Sequence, residues 1–574
     1  MERIAKQVEA GGRLPQLADY GRARREFTWA AGRRLLDGLP DGGLNMAYEA
    51  VDRHVRSGRG GATALQCVDR DSRQRSVSYA ELQAMADGFA HALARLQVQP
   101  GERVFALLGR VPELYAAALG TLKYGAVFSA LFAAFGPEPI RTRLTIGEAR
   151  VLVTTRSLYQ RKIVPIRDGL PSLWRFWVID AGELAGRDGV EDWDAALAAS
   201  PQDGFLPRTK AGDPALLHFT SGTTGEPKAL VHVHEAAVAH AVTGRWALDL
   251  TADDVFWCTA DPGWVTGISY GILAPLLLGC TVLLDEREFD PQRWLLTLQD
   301  LRVSVWYTAP TAIRVMMRLG EDWTRRYDLT ALRHMASVGE PLNAGAVEWG
   351  LRALGRPFHD TYWQTETGAI VVANLPAVDI KPGAMGVVLP GFDAAVTAPG
   401  RPGEPLPVGE VGELALRAGW PSMFRACLNR PDYYDRVMRD GWYMTGDLVR
   451  RDADGYLWFV GRADDMIKTS GHFVGPFEVE AALLAHPAVA EAGVVGVPDP
   501  VAGETVTAFV TLARGVTASE SLNRELLGFA RQRLGAAVAP KALYFRSRMP
   551  HTRSGKILRR RLRELALHGQ GGKR

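Results

Sequence analysis

Cysteine is scarce in this chain: there are four in 574 residues, Cys67, Cys258, Cys280 and Cys427. No two are close enough to form a Cys-x-x-Cys metal or redox pair. The spacing offers no disulfide framework either, so a reducing, cytoplasmic setting is expected. An excess of either charge is also lacking. Lys and Arg number 67 against 64 Asp and Glu, a net charge of +3, and so small a balance gives no ground for a nucleic-acid partner. No apolar run reaches the 18 residues of a membrane span. The most apolar region, 104–135, is interrupted by Arg110, Glu113 and Lys123 and reads as buried helices, so no membrane partner is expected. The first residues, Met1-Glu2-Arg3-Ile4-Ala5-Lys6, have no apolar core of a signal peptide. Internal repeats and low-complexity tracts are missing as well.

What remains is a globular composition, 47% hydrophobic and 23% charged, in a chain too long for one ordinary core. Residues 1–45 are polar with scattered aromatics and read as an extension wrapping a domain. From about residue 60 onward, β-prone runs (103–108, 151–154) alternate with helical ones. Residues 78–96 show apolar spacing of a helix, with Ser78 as N-cap and Glu81 three residues on. Such alternation predicts an α/β fold of mostly parallel sheets covered by helices. Near the end the texture changes. Residues 441–461 read as a hairpin turning at Asp452-Ala453-Asp454-Gly455. After Arg462-Ala463-Asp464-Asp465 come a helix (476–486), two strands (490–497, 504–513), a helix (521–534) and a basic tail, the size of a small α+β domain. The expected division is an N-terminal domain 1–461, a link 462–465 and a C-terminal domain 466–574.

The most specific segment is Thr220-Ser221-Gly222-Thr223-Thr224-Gly225-Glu226-Pro227-Lys228. Glycines let backbone N–H groups approach an anion, hydroxyls add donors, and Lys228 adds charge. The pattern differs from the common nucleotide loop: Lys228 does not follow a glycine directly, Ala229 follows it, and both flanks are strand-like. An ordinary turn needs one or two special residues rather than this density.

This loop resembles the signature of the acyl- and aryl-adenylate-forming enzymes: acyl-CoA synthetases, peptide-synthetase adenylation domains and luciferases. Four further motifs resemble theirs in the same order: Tyr362-Trp363-Gln364-Thr365-Glu366-Thr367-Gly368, Tyr443-Met444-Thr445-Gly446-Asp447, Gly461-Arg462-Ala463-Asp464-Asp465 and Arg553-Ser554-Gly555-Lys556. The resemblance covers nearly the whole chain. Gly43-Leu44-Asn45-Met46-Ala47-Tyr48-Glu49 and the residues to His54 are similar to acetyl-CoA synthetases in particular.

The resemblance implies a two-step ligase. Acetate and ATP give acetyl-AMP and pyrophosphate, and coenzyme A then takes the acetyl group. Joining two anions, a carboxylate and an α-phosphate, calls for cations and hydrogen-bond donors. By resemblance Thr220, Ser221, Gly222, Thr223, Thr224, Gly225 and Lys228 hold the β- and γ-phosphates. Glu366 binds Mg²⁺, and Thr365 contacts the α-phosphate. Gly339, Glu340, Pro341, Asp360, Thr361 and Tyr362, with Trp363 and Gln364 beside them, line the nucleotide. Asp447 and Arg462 take the ribose. Lys556 neutralises the charge that develops between carboxylate and phosphate; in the family it is also the usual target of acetylation, which implies an acetyltransferase and a deacetylase as partners. The family's C-terminal domain rotates between the two steps, and Asp464 matches its hinge. Ser470 and Gly471 would then pass the pantetheine, and Arg531, with Arg143 as a second candidate, would bind the nucleotide end of coenzyme A.

Trp363 stands where acetyl-CoA synthetases carry a tryptophan wall and relatives of longer acids commonly carry glycine. An indole fills the space of a longer tail, so a two- or three-carbon acid is implied, with Val265, Thr266 and Val338 as the other lining residues. Propionate or another short acid is the alternative substrate. One departure stands out: after Ser470-Gly471-His472, many acetyl-CoA synthetases have an arginine, and this chain has Phe473. That leaves open a non-catalytic nucleotide-binding descendant. His232 and His234, two apart with Glu235 following, read as structural rather than metal ligands.

Overall fold

A computed structural model describes residues 2–6, 13–220, 227–469, 472–500, 502–536, 538–551 and 557–568. Within them lie two large sheets, a smaller five-stranded sheet and a separate C-terminal sheet. The first large sheet runs Val387–Val388, Val372–Ala373, Phe358–Tyr362, His334–Val338, Val305–Thr308, Val255–Cys258, Thr281–Asp285, Thr63–Val68, Gln74–Ser78. Its six central strands are mutually parallel and its margins antiparallel. The second runs from Ala426–Cys427 through Lys228–Val233, Pro214–Thr220, Val127–Ala130, Arg103–Leu107, Ala149–Thr155 and Arg175–Ile179 to Val190–Asp192. Its parallel part carries strands such as Arg103–Leu107 and Ala149–Thr155, buried along nearly their whole length rather than on alternate residues, as cover on both faces requires. The α/β fold with mostly parallel sheets is therefore as the sequence implied.

Helices cover these sheets for local reasons. Tyr79–Arg95 begins at the Ser78 cap, with Ser78 and Glu81 forming the full capping box. Pro112–Tyr124 starts with proline in its first turn and stops at Gly125, which adopts φ +92°. The region 104–135, expected to be helical, instead places one helix between two strands, Arg103–Leu107 and Val127–Ala130. A short run of apolar residues does not distinguish a buried helix from a buried parallel strand. No described helix is long and apolar enough to cross a membrane.

The N-terminal extension lies against the domain. Tyr20, Arg24 and Trp29 donate to the carbonyls of Val388, Phe392 and Gly391 at 2.9, 2.6 and 2.9 Å. Further in, Lys123 is fully buried and tied to Asp52 at 2.6 Å and to Asp87, which joins residues 48–52 to the two helices that follow.

The C-terminal sheet runs His472–Val474, Ile467–Thr469, Gly503–Leu512, Val489–Asp499, with Ala542–Phe545 parallel on Gly503–Leu512. Helices Pro476–Leu484 and Glu520–Leu534 pack on one core. The helix Arg559–Leu567 covers a second cluster around Val495, Phe509 and Met549. The two helices and two strands read from the sequence are present as Pro476–Leu484, Glu520–Leu534, Val489–Asp499 and Gly503–Leu512, whereas the strands Ile467–Thr469, His472–Val474 and Ala542–Phe545 were not read and the basic tail holds the helix Arg559–Leu567.

Candidate functional site

The site is built where strand ends from three sheets meet. Thr220 and Lys228 are register partners at the end of an antiparallel pair, so the phosphate-type segment joins two strands, as its strand-like flanks implied. Ser221, Gly222, Thr223, Thr224 and Gly225 lie outside the described residues, as do Ser470, Gly471 and Lys556.

Lys228 is directed at Glu366. Its Nζ stands 3.6 Å from Glu366 Oε1, and between them sits a residue the sequence did not single out, Tyr433. Lys228 Nζ donates to the Tyr433 hydroxyl at 2.9 Å, which donates to Glu366 Oε1 at 2.7 Å. Burial, then the neighbouring Glu366 carboxylate, raises the Tyr433 phenol above its ordinary pKa, so it stays protonated and remains a donor. Burial is also the main cause that lowers Lys228, against the opposing pull of Glu366. Asn429 fixes the approach of this segment, donating to the Pro227 carbonyl at 3.0 Å and accepting from Ala229 N at 3.2 Å.

Glu366 and Thr365 ride on a tightly supported turn, residues 364–368. The Thr367 carbonyl accepts from Trp420 Nε1 at 2.8 Å and from Ser422 Oγ at 2.7 Å. His240 Nε2 bonds the Gly368 carbonyl at 3.0 Å, and Phe424 N bonds the Glu366 carbonyl at 3.0 Å. His232 Nδ1 bonds the Ser422 carbonyl at 3.0 Å, and His234 Nδ1 accepts from Met46 N. Desolvation holds His232 at about 4 and His240 at about 3, so both are neutral at physiological pH. Gly368 adopts φ +67°, and a Cβ there would meet the Ser422 carbonyl at 2.2 Å and the His232 ring at 3.0 Å. Only glycine fits that close approach.

On the other side of the turn, Asp447 is a hub. Its Oδ2 accepts from the Tyr362 hydroxyl at 2.6 Å and from Gln364 Nε2 at 2.5 Å. Its Oδ1 lies 3.4 Å from Arg462, its register partner on the adjacent strand. Tyr443, also unremarked in the sequence as a site residue, donates to Gln364 Oε1 at 2.5 Å and so sets the amide's orientation. Burial lowers the Arg462 pKa, but Asp447 and then Asp464 outweigh it, and the guanidinium is raised overall. Asp464 itself is exposed and pairs with Arg462 at 3.3 Å.

Gly339-Glu340-Pro341 follows the strand His334–Val338. Gly339 turns the chain at φ +94°, with open space where a Cβ would be. Glu340 is held by Thr311 at 2.7 Å and Arg314 at 2.6 Å. Asp360 is buried, its Oδ1 has no hydrogen-bond partner among the described residues, and burial keeps its carboxyl well above the usual range. The Thr361 hydroxyl is spent inside the fold, on Ser337 O at 2.7 Å and Tyr307 at 2.8 Å. Only its backbone is therefore left to face a ligand.

Trp363 packs edge-on against Tyr270, with ring centroids 5.1 Å apart at 70°. Tyr270 is locked by Thr243 at 2.7 Å and by Ile370 N at 2.7 Å. Val338 belongs to the same apolar cluster. Val265 and Thr266 begin the helical turn Val265–Ile268, behind Asp261, whose carboxyl desolvation raises to about 6. Arg143 lies between the Phe135 and Phe219 rings at 4.3 and 5.8 Å; burial lowers its guanidinium to about 10. Arg531 is exposed on the helix Glu520–Leu534, within the C-terminal unit.

Comparison with known proteins places this geometry. A family model described as AMP-binding enzyme matches residues 51–428, and one described as AMP-binding enzyme C-terminal domain matches 478–556. The acetyl-coenzyme A synthetase of Bacillus subtilis (strain 168) is 43% identical over 558 residues, 97% of this chain and 96% of that one. That of Methanothrix thermoacetophila is 38% identical, covering 92% and 84%. A Brucella canis acyl-CoA synthetase structure superposes with TM-score 0.75 at 34% identity, over 96% of this chain and 100% of that one. The anthranilate CoA ligase AuaEII, solved with anthranoyl-AMP, gives TM-score 0.83 at 27% identity, over 92% and 98%.

Proposed function

The chain belongs to the AMP-binding, adenylate-forming enzyme family, and on that premise we propose that it is an AMP-forming acetate–CoA ligase. A carboxylate oxygen of acetate attacks the α-phosphorus of ATP, the bond to the bridging oxygen breaks, and pyrophosphate leaves with the electron pair. The thiol sulfur of coenzyme A then attacks the acetyl carbonyl, gives up its proton, and AMP departs from the carbon. The turn 364–368 carries this reading. Trp363 immediately precedes it and Thr365 and Glu366 lie on it, with Lys228 and Tyr433 on one side and Asp447 and Arg462 on the other.

The residues divide the substrate among them. Lys228 and Thr220 serve the β- and γ-phosphates and Thr365 the α-phosphate. Asp447 and Arg462 serve the ribose. Asp360 Oδ1, buried without a partner among the described residues, offers the acceptor that an adenine amino group satisfies. Glu366 fits Mg²⁺: its buried oxygens are the hard donors that ion prefers, and Lys228 beside it marks a place built for phosphate charge. Once bound, Mg²⁺ would supply Lewis-acid neutralisation of the phosphoryl oxygens. Lys556 belongs to the first step, Ser470, Gly471 and Arg531 to the second, with residues 462–465 as the pivot between domains 1–461 and 466–574.

Acetate follows from the braced indole. Tyr270 holds Trp363 edge-on and is itself held twice, so the wall has no freedom to retreat for a longer tail. An acid panel from two to eight carbons, read by CoA-dependent pyrophosphate release, tests this. The wild type should favour acetate, with propionate behind by only about 1–3 kcal/mol, the worth of one methylene. Trp363→Gly should move the preference to longer acids, and an unchanged profile would remove acetate from the reading.

A further inference from the structure

We infer that Tyr433 is a positioning residue for the magnesium–triphosphate end of the site: its hydroxyl holds the Lys228 ammonium and the Glu366 carboxylate apart and aimed. The inference rests on the roles proposed above for Lys228 and Glu366. A direct lysine–carboxylate hydrogen bond closes to about 2.7–2.9 Å. Here the two charges stand 3.6 Å apart, and the phenol oxygen occupies the bridging position, at 2.9 Å from one and 2.7 Å from the other. The ammonium also lies over the ring, 4.1 Å from its centre.

The phenol is well placed to impose this distance, because it does not move freely. Tyr433 is buried in the first turn of the helix Asp432–Val437, its N–H bonded to the Arg430 carbonyl at 3.0 Å. Phe424 packs beside its ring at 5.9 Å and Arg436 lies over it at 5.2 Å. The preceding strand Ala426–Cys427 pairs with Lys228–Val233, and Asn429 grips Pro227 and Ala229. The segment that carries the phenol is thus stitched to the strand that carries the lysine. Without the hydroxyl, Lys228 and Glu366 are free to close into a direct pair. ATP with Mg²⁺ then has to break that pair before either charge reaches its proper partner.

The test is Tyr433→Phe, which keeps the ring and removes only the hydroxyl. Calorimetry with the β,γ-methylene analogue of ATP plus Mg²⁺ should show affinity about tenfold weaker or more, the range for a lost hydrogen bond to a charged group. KM for ATP should rise by the same factor with a smaller change in kcat. Binding of AMP, and the CoA-dependent consumption of supplied acetyl-AMP, should not change, because neither involves the outer phosphates. Tyr433→Leu, which gives up the ring as well, should show the same split with a larger loss. Unchanged affinity for the analogue in Tyr433→Phe would overturn the inference. So would an equal loss in AMP binding and the second half-reaction, which would make Tyr433 merely structural. Lys228→Ala and Glu366→Gln run beside it. If they leave analogue affinity intact, the phosphate-end reading falls and this inference with it; if they weaken it and Tyr433→Phe does not, this inference alone falls.

Discussion

Two stretches of backbone serve the same reaction in opposite ways. The turn 364–368 is held from all sides: Trp420, Ser422, His240 and Phe424 N each bond one of its carbonyls, and His232 backs Ser422. The four direct bonds come from places 53 to 128 residues away in sequence. The described residues that flank Lys556 are anchored close by. His551 and Ile557 form a single bridge, Leu558 N bonds the Pro550 carbonyl, and Arg559 makes a two-oxygen pair with buried Glu480 at 2.7 Å. Every one of those contacts stays inside the C-terminal unit. On the proposed function, groups needed in a constant orientation sit in a cross-linked scaffold, and a group needed in one step would be carried on a small unit able to arrive and leave as a body.

The most direct way to break this comparison is Lys556→Ala. If the lysine is needed in one step only, acetyl-AMP formation should fall about 10³-fold, the scale for losing a charge-stabilising donor. Conversion of supplied acetyl-AMP to the thioester should be unchanged. Loss of both half-reactions in single-turnover assays would place Lys556 in the fixed scaffold instead.

Glu480→Gln tests the anchor. Glu480 is buried, and burial raises its pKa against the opposing pull of Arg559. Removing one partner of such a pair costs about 3 kcal/mol because the other is left uncompensated. The C-terminal unit should therefore unfold at lower denaturant than the rest, giving a separate early phase in an unfolding curve, while AMP binding persists. On the other side, Ser422→Ala removes one of two donors to the Thr367 carbonyl. Trp420 remains, so the loss should be about 1 kcal/mol. It should appear as one lowered global transition, because this turn belongs to the large core.

The order of motifs, the α/β alternation and the helix caps were legible because each depends on neighbours within a few residues. Ser78 and Glu81, for example, announce their helix locally. Tyr433 was not legible: Asn429-Arg430-Pro431-Asp432-Tyr433 belongs to no motif, and its meaning arises only when Ala426–Cys427 pairs with a strand two hundred residues earlier. His240 and Ser422 are hidden for the same reason. A histidine on an apolar helix gives no sign that its ring will cap a carbonyl 128 residues on. Thr361 shows the converse, since its place in a motif suggested a ligand contact and the register of its strand turns its hydroxyl into the core. Residue types declare chemistry, and long-range pairing decides which of them reach the ligand.

The smallest expected effect bears on the seam between the two regions. Arg318, at the end of the helix Pro310–Met317, reaches across to the C-terminal unit, 3.3 Å from the Ala490 carbonyl and 4.0 Å from Glu491. Its side chain is half exposed, so the contact contributes at most about 0.2–1 kcal/mol. If the C-terminal unit moves as a body between steps, a contact of this size is large enough to bias its resting orientation and small enough to release it. Arg318→Ala should leave thermal stability and AMP affinity unchanged. It should shift the ratio of the two half-reaction rates by no more than about fivefold, with the shift fading at high salt as surface charges are screened. A salt-independent loss in both half-reactions would mean that Arg318 belongs to the fixed scaffold, and that the seam between scaffold and carrier runs elsewhere.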